Sequence, residues 1–233
     1  MNNFVYTGAD PGLHGCVVAL KDESDAPVWW YHWKSAVINK EHPERKAERF
    51  SSIENRLNHA MLESGLYGDR NSRHLSSIKA TKLFMTYDAH FHQGLQSFDA
   101  IATLIKATGC MEATLSRFGG VFHKTDTTSR KIMIGDGSSN KFSKIALALT
   151  LQSIPGLESQ EFKEFKIITT QTNPEKLSAK EMIALDFFDA LAIAYICRAE
   201  WRFGKWFDLS RMKEPLACKL HTKRIYTSKE LKG

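Results

Sequence analysis

Four aspartates in this sequence have the type and setting to do chemistry: Asp10, Asp88, Asp186 and Asp189. Asp10 stands where the β-rich run Phe4–Gly8 gives way to Ala9-Asp10-Pro11-Gly12, and Gly8, Gly12 and Gly15 permit close backbone approach around it. Asp88 ends the strand-like run Leu83-Phe84-Met85-Thr86-Tyr87. Taken singly, each fits a turn or helix-cap carboxylate as well as a functional one. Asp186 and Asp189 lie in the run Leu185 to Ala194, where an i,i+3 spacing puts both carboxylates on one helical face. Like charges among Leu185, Phe187, Phe188, Leu191 and Ile193 repel each other and lose solvation, and a divalent cation would relieve both penalties. The alternative for this pair is two exposed acids on an amphipathic helix. As a set, the four form an all-oxygen donor group suited to Mg²⁺, with Mn²⁺ as substitute, rather than to Zn²⁺. Two such ions can clamp the attacking and leaving oxygens of an in-line displacement at phosphorus.

The elements that must position these residues follow from apolar patterning. Phe4–Gly8, His14–Lys21 and Pro27–Trp33 read as three strands joined by links too short for helical crossovers, hence an antiparallel meander. Pro43–Ser64 carries Phe50, Ile53, Leu57, Met61 and Leu62 at helical spacing. Lys82–Tyr87 is a fourth strand, Ser97–Leu115 a helix capped by Ser97, and Gly120–Lys124 a fifth strand. Thr127–Ile134 and Lys141–Ser153 read as short helices around the turn Gly135-Asp136-Gly137-Ser138. Phe165–Thr170 reads as an extra strand, and Ser178 to about Phe203 as a helix nearly apolar on one face. The order predicts a mixed sheet with helices packed on it.

Composition limits the class. The chain has 233 residues, 42% hydrophobic and 25% charged, enough for one large α/β domain or one domain with an appendage. The apolar runs are too short to span a bilayer, and Met1-Asn2-Asn3 leads straight into a strand-like segment without a signal pattern. Cys16, Cys110, Cys197 and Cys218 form no CxxC pair, which argues against a zinc site or a disulfide framework and for reduced thiols in a cytoplasmic or nuclear setting. The net charge is +6, and the segment Arg198–Gly233, with ten basic and four acidic residues, accounts for all of it. A basic end on a neutral body suits a polyanionic partner, and equally a solvated tail.

The motifs carry a resemblance. Gly8-Ala9-Asp10-Pro11-Gly12-Leu13-His14-Gly15 resembles the opening motif of the RuvC family of Holliday-junction resolvases, and Asp186-Phe187-Phe188-Asp189-Ala190-Leu191-Ala192 resembles its closing D-x-x-D-A-L-A helix. Phe84–Phe91 resembles the family's second acidic strand, and Gly135 to Lys141 its glycine turn and basic residue. The resemblance covers about residues 3 to 155 and about 183 to 197. It implies a ribonuclease H-like α/β fold, with a mixed five-stranded sheet flanked by helices over residues 1–203; the basic extension over 204–233 departs from it, being longer than in the compact cellular enzymes. It implies a Mg²⁺-dependent endodeoxyribonuclease that nicks four-way or related branched DNA as a homodimer, making two symmetric cuts. The implied metal ligands are Asp10, Asp88, Asp186 and Asp189. Lys141 is the implied catalytic lysine, Arg130 with Lys131 the implied backbone contacts, and Phe91 an aromatic that stacks on bases.

The departures are local. The family usually has glutamate where Asp88 stands, which alters metal spacing or favours Mn²⁺. Residues 34–82 and 156–182 read as insertions, as in divergent viral and phage members. His90 and His92 fit a DNA-facing loop better than a ligand pair, and Trp29, Trp30, Tyr31 and Trp33 an alternating core strand. Trp201 and Trp206, interleaved with Arg202 and Lys205, suit a nucleic-acid or dimer surface. Two further classes stay open: a non-catalytic nucleic-acid-binding module on the same fold, and an actin- or sugar-kinase-like ATP-binding protein. The latter usually needs a second lobe, and the Asp10 motif has no second copy.

Overall fold

The computed structural model describes residues 4–21, 24–34, 46–66, 82–88, 98–118, 121–125, 129–138, 140–157, 167–203 and 213–232. Strands β1 (Phe4–Asp10), β2 (His14–Lys21) and β3 (Pro27–Lys34) form the antiparallel meander that the short links imply. Strands β4 (Lys82–Asp88) and β5 (Val121–Thr125), described by their backbone, run parallel to β1, giving a sheet of order β3-β2-β1-β4-β5. Parallel neighbours need crossovers, and the two helices α1 (Lys46–Glu63) and α2 (Phe98–Arg117) fall in those links.

Side chains along the strands alternate between two cores, as the pleat requires. Tyr6, Cys16, Val18 and Leu20 face a core built with α3 (Ser129–Ile134), α4 (Lys141–Leu151) and α5 (Ala179–Phe203). Val5, Ala9, Val17, Ala19 and Trp33 face a second core with Ile53, Leu57 and Met61 of α1 and Met111 and Leu115 of α2. Trp33 is therefore core, as its alternating strand suggests, with its indole Nε1 donating to the Gly12 carbonyl at 3.1 Å. Leu62 lies off the buried stripe of α1 and is exposed.

Helix α5 is the organising element on the first face. A capping box starts it: the Glu181 amide donates to Ser178 Oγ at 3.3 Å, and the Ser178 amide donates to Glu181 Oε2 at 2.7 Å. Its far half is tied to the β2–β3 turn, where Arg198 pairs with Asp25 and donates to the Ser24 carbonyl at 2.8 Å. Between these ends it lies against β1 with almost no gap. A Cβ at Gly8 would fall 2.2 Å from the Ala194 amide nitrogen and 2.3 Å from the Ala190 carbonyl oxygen. Helix backbone rests on strand backbone, and only glycine fits there.

Two regions differ from the sequence reading. No strand forms over residues 167–170, which make turns; the Ile168 carbonyl accepts from Gln152 Nε2 at 3.0 Å, so a side-chain amide takes the place of a neighbouring strand. Residues 165 and 166 lie outside the described residues. Residues 213–232 are not a loose basic tail. A 3-10 turn at Leu216–Leu220 buries Leu216, Ala217 and Leu220 in the α5-side core, and α6 (Ser228–Leu231) docks on the α3–α4 turn. There the Ser228 amide donates to Asp136 Oδ2 at 2.7 Å and the Ser138 amide to Oδ1 at 2.9 Å. Burial opposes ionisation of Asp136, but these bonds from Ser228 and Ser138 outweigh it and hold the carboxyl at about 2.

Two outcomes follow for stability. Gly8→Ala forces α5 off the sheet and lowers stability by about 3 kcal/mol or more in chemical denaturation, as overpacking against immovable backbone does. A depressed folded-state pKa contributes stability above the unfolded value and loses it as pH falls through the folded one. Asp136→Ala therefore lowers Tm by about 3–6 °C at pH 7. That difference shrinks between about pH 4 and pH 2 in thermal melts followed by circular dichroism.

Candidate functional site

The pleat that sends Tyr6 and Gly8 toward α5 sends Asp10 to the same face, two residues further along β1. Helix α5 crosses β1 at Gly8 and presents Asp186 and Asp189 from its N-terminal half. Asp189 is only 5% exposed. Its Oδ2 lies 2.7 Å from Lys144 Nζ, and its Oδ1 is buried without a hydrogen-bond partner. Asp186 flanks it, with Oδ1 4.0 Å from the same ammonium and Oδ2 3.4 Å from His32 Nε2. The Asp189 carboxylate, aided by Asp10 and Asp186 and opposed by burial, holds the Lys144 ammonium well above the ordinary lysine range. The three aspartates thus share one electrostatic site, with a lysine among them.

Strand register completes the surroundings. Asp10 pairs with Cys16, and Cys16 pairs with His32, so one row across β1, β2 and β3 carries all three. Burial pushes the Cys16 thiol well up, and Asp186 and Asp10 push it further, so this cysteine is a neutral wall of the site. His14, near Lys34, Asp186 and His32, is pushed down by burial and by Lys34. On the other side, parallel pairing of β1 with β4 runs to Ala9 opposite Tyr87, which leaves Asp10 and Asp88 as the next residues of adjacent strands. The Asp88 side chain lies outside the description.

The other residues singled out from sequence fall at varied distances from this centre. Lys141 is exposed at the first turn of α4, whose cap is Asn140, accepting from the Ser143 amide at 3.0 Å. Arg130 is 4% exposed and donates to Ser143 Oγ at 2.9 Å, tying α3 to the start of α4. As placed, its guanidinium faces inward, whereas Lys131 beside it is exposed. Phe91, His90 and His92 lie outside the described residues, as do Lys205 and Trp206. Trp201 is exposed at the end of α5, its ring 5.8 Å from that of Phe4.

Two residues of the site were not singled out from sequence. Lys144 follows Lys141 by three positions on α4, so helical periodicity puts both on one face, while the turn motif marks only Lys141. His32 alternates with Trp30 onto the α5 face of β3, but nothing local says that Asp186 will meet it.

The donor set fits a hard divalent cation. It is made of carboxylates, it sits on a strand end and a helix packed backbone to backbone, and the Asp189 Oδ1 is a buried acceptor with no partner. Among the described residues, no three His, Cys, Asp or Glu side chains converge closely enough to hold a metal ion as they stand; the Lys144 ammonium lies within 4.0 Å of both Asp186 and Asp189. No described helix is long and apolar enough to cross a membrane.

No protein-family model matches the chain, and no curated protein does. Among solved structures, it is similar to Thermus thermophilus RuvC in complex with a Holliday junction substrate, at 14% identity and a TM-score of 0.47, over 86% of this chain and 96% of that one. It is likewise similar to a second Thermus thermophilus RuvC structure, at 14% identity and a TM-score of 0.49, over 85% of this chain and 97% of that one.

Proposed function

We propose that this chain is a divalent-metal-dependent endonuclease of the ribonuclease H-like superfold that nicks four-way or related branched DNA. The observation that carries the reading is the meeting of Asp10, Asp186, Asp189 and Lys144 where β1 and α5 lie together. A protein that only binds DNA has no reason to gather carboxylates at the surface a phosphate must approach. Branched DNA as the substrate, and a homodimer as the working form, rest on the motif resemblance around Asp10 and Asp186.

Asp10, Asp186 and Asp189 would hold Mg²⁺ or Mn²⁺, with Asp88 as a fourth ligand from the neighbouring strand end. A cation so held supplies Lewis-acid activation of water and neutralises charge on the leaving 3′ oxygen. The protein's own part is to fix these carboxylates on β1 and α5, whose backbones are in contact, so that little reorganisation is left for the reaction. His32, with its Nε2 3.4 Å from Asp186 Oδ2, would help to orient that carboxylate.

Substrate phosphates have a cationic approach along α4. Lys141 is exposed one turn before Lys144, and Lys232 of the C-terminal segment reaches the same turn, its Nζ 5.7 Å from the Phe142 ring. Lys131 and Lys229 are exposed on the flanking α3 and α6. In this reading Phe91 stacks on bases near the crossover, and Arg130 acts by holding α3 and α4 together.

A panel of labelled junctions, forks, flaps and duplexes, incubated with Mg²⁺ or Mn²⁺, tests the activity. Nicks with 5′-phosphate and 3′-hydroxyl ends are expected on branched forms. Asp186→Asn and Asp189→Asn should each slow cutting by at least about a hundredfold while junction binding persists. Normal cutting by both variants rules the reading out, and metal-independent binding with no cutting of any substrate points to a binding module instead. The double variant Lys141→Glu/Lys232→Glu should weaken junction binding, with the slope of log K against log salt falling by about 2.

A further inference from the structure

Lys144 is unusual for a lysine beside a metal-type carboxylate cluster. Its side chain is 31% exposed while that of Asp189 is 7% exposed, so the ammonium reaches in from the rim to a buried acceptor. The contact with Asp189 is short, 2.7 Å, and leaves Asp189 Oδ1 without a partner; the ammonium is 4.0 Å from Oδ1 of Asp186, whose other oxygen faces His32 at 3.4 Å. A buried carboxylate in a purely structural ion pair usually has its remaining oxygen satisfied as well. Lys144 is therefore the cation that Asp186 and Asp189 share, and it leaves one buried oxygen, Asp189 Oδ1, without a partner.

We propose that Lys144 is the built-in counterion of this cluster in the metal-free protein, and that its ammonium and a divalent cation are alternative occupants of Asp189. The proposal rests on the metal-site reading above. Without a cation, Asp10, Asp186 and Asp189 would repel one another at the point where α5 meets β1, and Lys144 relieves that repulsion. When a divalent ion binds the free Oδ1, its charge repels the ammonium across a single carboxylate, and Lys144 withdraws toward the rim. It then lies one helical turn from exposed Lys141, where a DNA phosphate supplies the anion it has lost. Metal loading and phosphate binding are thereby coupled, each favouring the other.

Mn²⁺ binding by the full-length protein without DNA tests this, read by calorimetry and by the loss of the free-ion paramagnetic resonance signal. Lys144→Met and Lys144→Gln remove the competing charge, and the glutamine keeps a hydrogen-bond donor for Asp189 should the methionine variant fold poorly. Both are expected to bind Mn²⁺ at least about tenfold tighter than wild type, because a like charge within about 4 Å has gone. In EDTA both should melt below wild type, and Mn²⁺ should raise their Tm by more than it raises that of wild type. A variant that folds only with Mn²⁺ gives the same answer as tighter binding. If both variants bind Mn²⁺ no tighter than wild type, Lys144 is not the competitor and the inference falls while the metal site stands. If Asp186→Asn/Asp189→Asn binds Mn²⁺ as wild type does, or if none of these proteins binds it, the metal-site reading itself fails and the inference goes with it.

Discussion

The arrangement depends on one steric contact, the backbone of α5 lying on the backbone of β1 at Gly8. A side chain as small as a methyl would meet Ala190 and Ala194 at 2.2–2.3 Å, so the helix is seated as low on the sheet as a helix can be. Alanines at 190 and 194, one turn apart, give the helix the flat strip this approach needs. The consequence is geometric. Asp10 lies two residues beyond Gly8 on the strand, and Asp189 one residue before Ala190 on the helix, so the close contact brings their carboxylates into one field. A similar device acts on the neighbouring strand, where a Cβ at Gly15 would fall 2.2 Å from the Trp33 ring that fills the opposite core.

Bringing carboxylates together in a partly buried place has an electrostatic cost, and the fold meets it with a cation. Lys144 reaches them from α4, a helix whose own position depends on the Arg130–Ser143 bond and on the C-terminal segment docked through Asp136 and Ser228. The charge balance at the end of β1 thus relies on residues from nearly the whole length of the chain. The basic C-terminal segment serves two ends. Its apolar residues, Leu216, Ala217 and Leu220, complete the α5-side core next to α3, and Lys229 and Lys232 add positive charge on the side of α4 that carries Lys141.

Most of the elements were legible because local patterns and tertiary packing agree. The three opening strands have links too short for anything but a meander, and α1 carries Ile53, Leu57 and Met61 on the stripe that α2 covers. Residues 167–170 differ from the strand reading because apolar residues beside β-branched ones fit a strand or a turn equally. In the fold, the Ile168 carbonyl accepts from the side-chain amide of Gln152, 16 residues earlier, a partner with no local signature. The C-terminal residues read as a tail because their charge is conspicuous and their buried apolar residues are few.

The candidate site divides the same way. Sequence alone determined which acids stand out and that Asp186 and Asp189 share a face, because helical periodicity is a local property of the chain. It also determined that Asp10 ends a strand, because glycine and proline stop the run there. Tertiary structure alone decided that a lysine of α4 lies among those acids and a histidine of β3 beside them, and that it is Lys144 rather than Lys141 that reaches in. It also turned Arg130 inward. The physical reason is that Coulombic partners are chosen by distance through space, and that distance was set by how closely α5 could settle on Gly8.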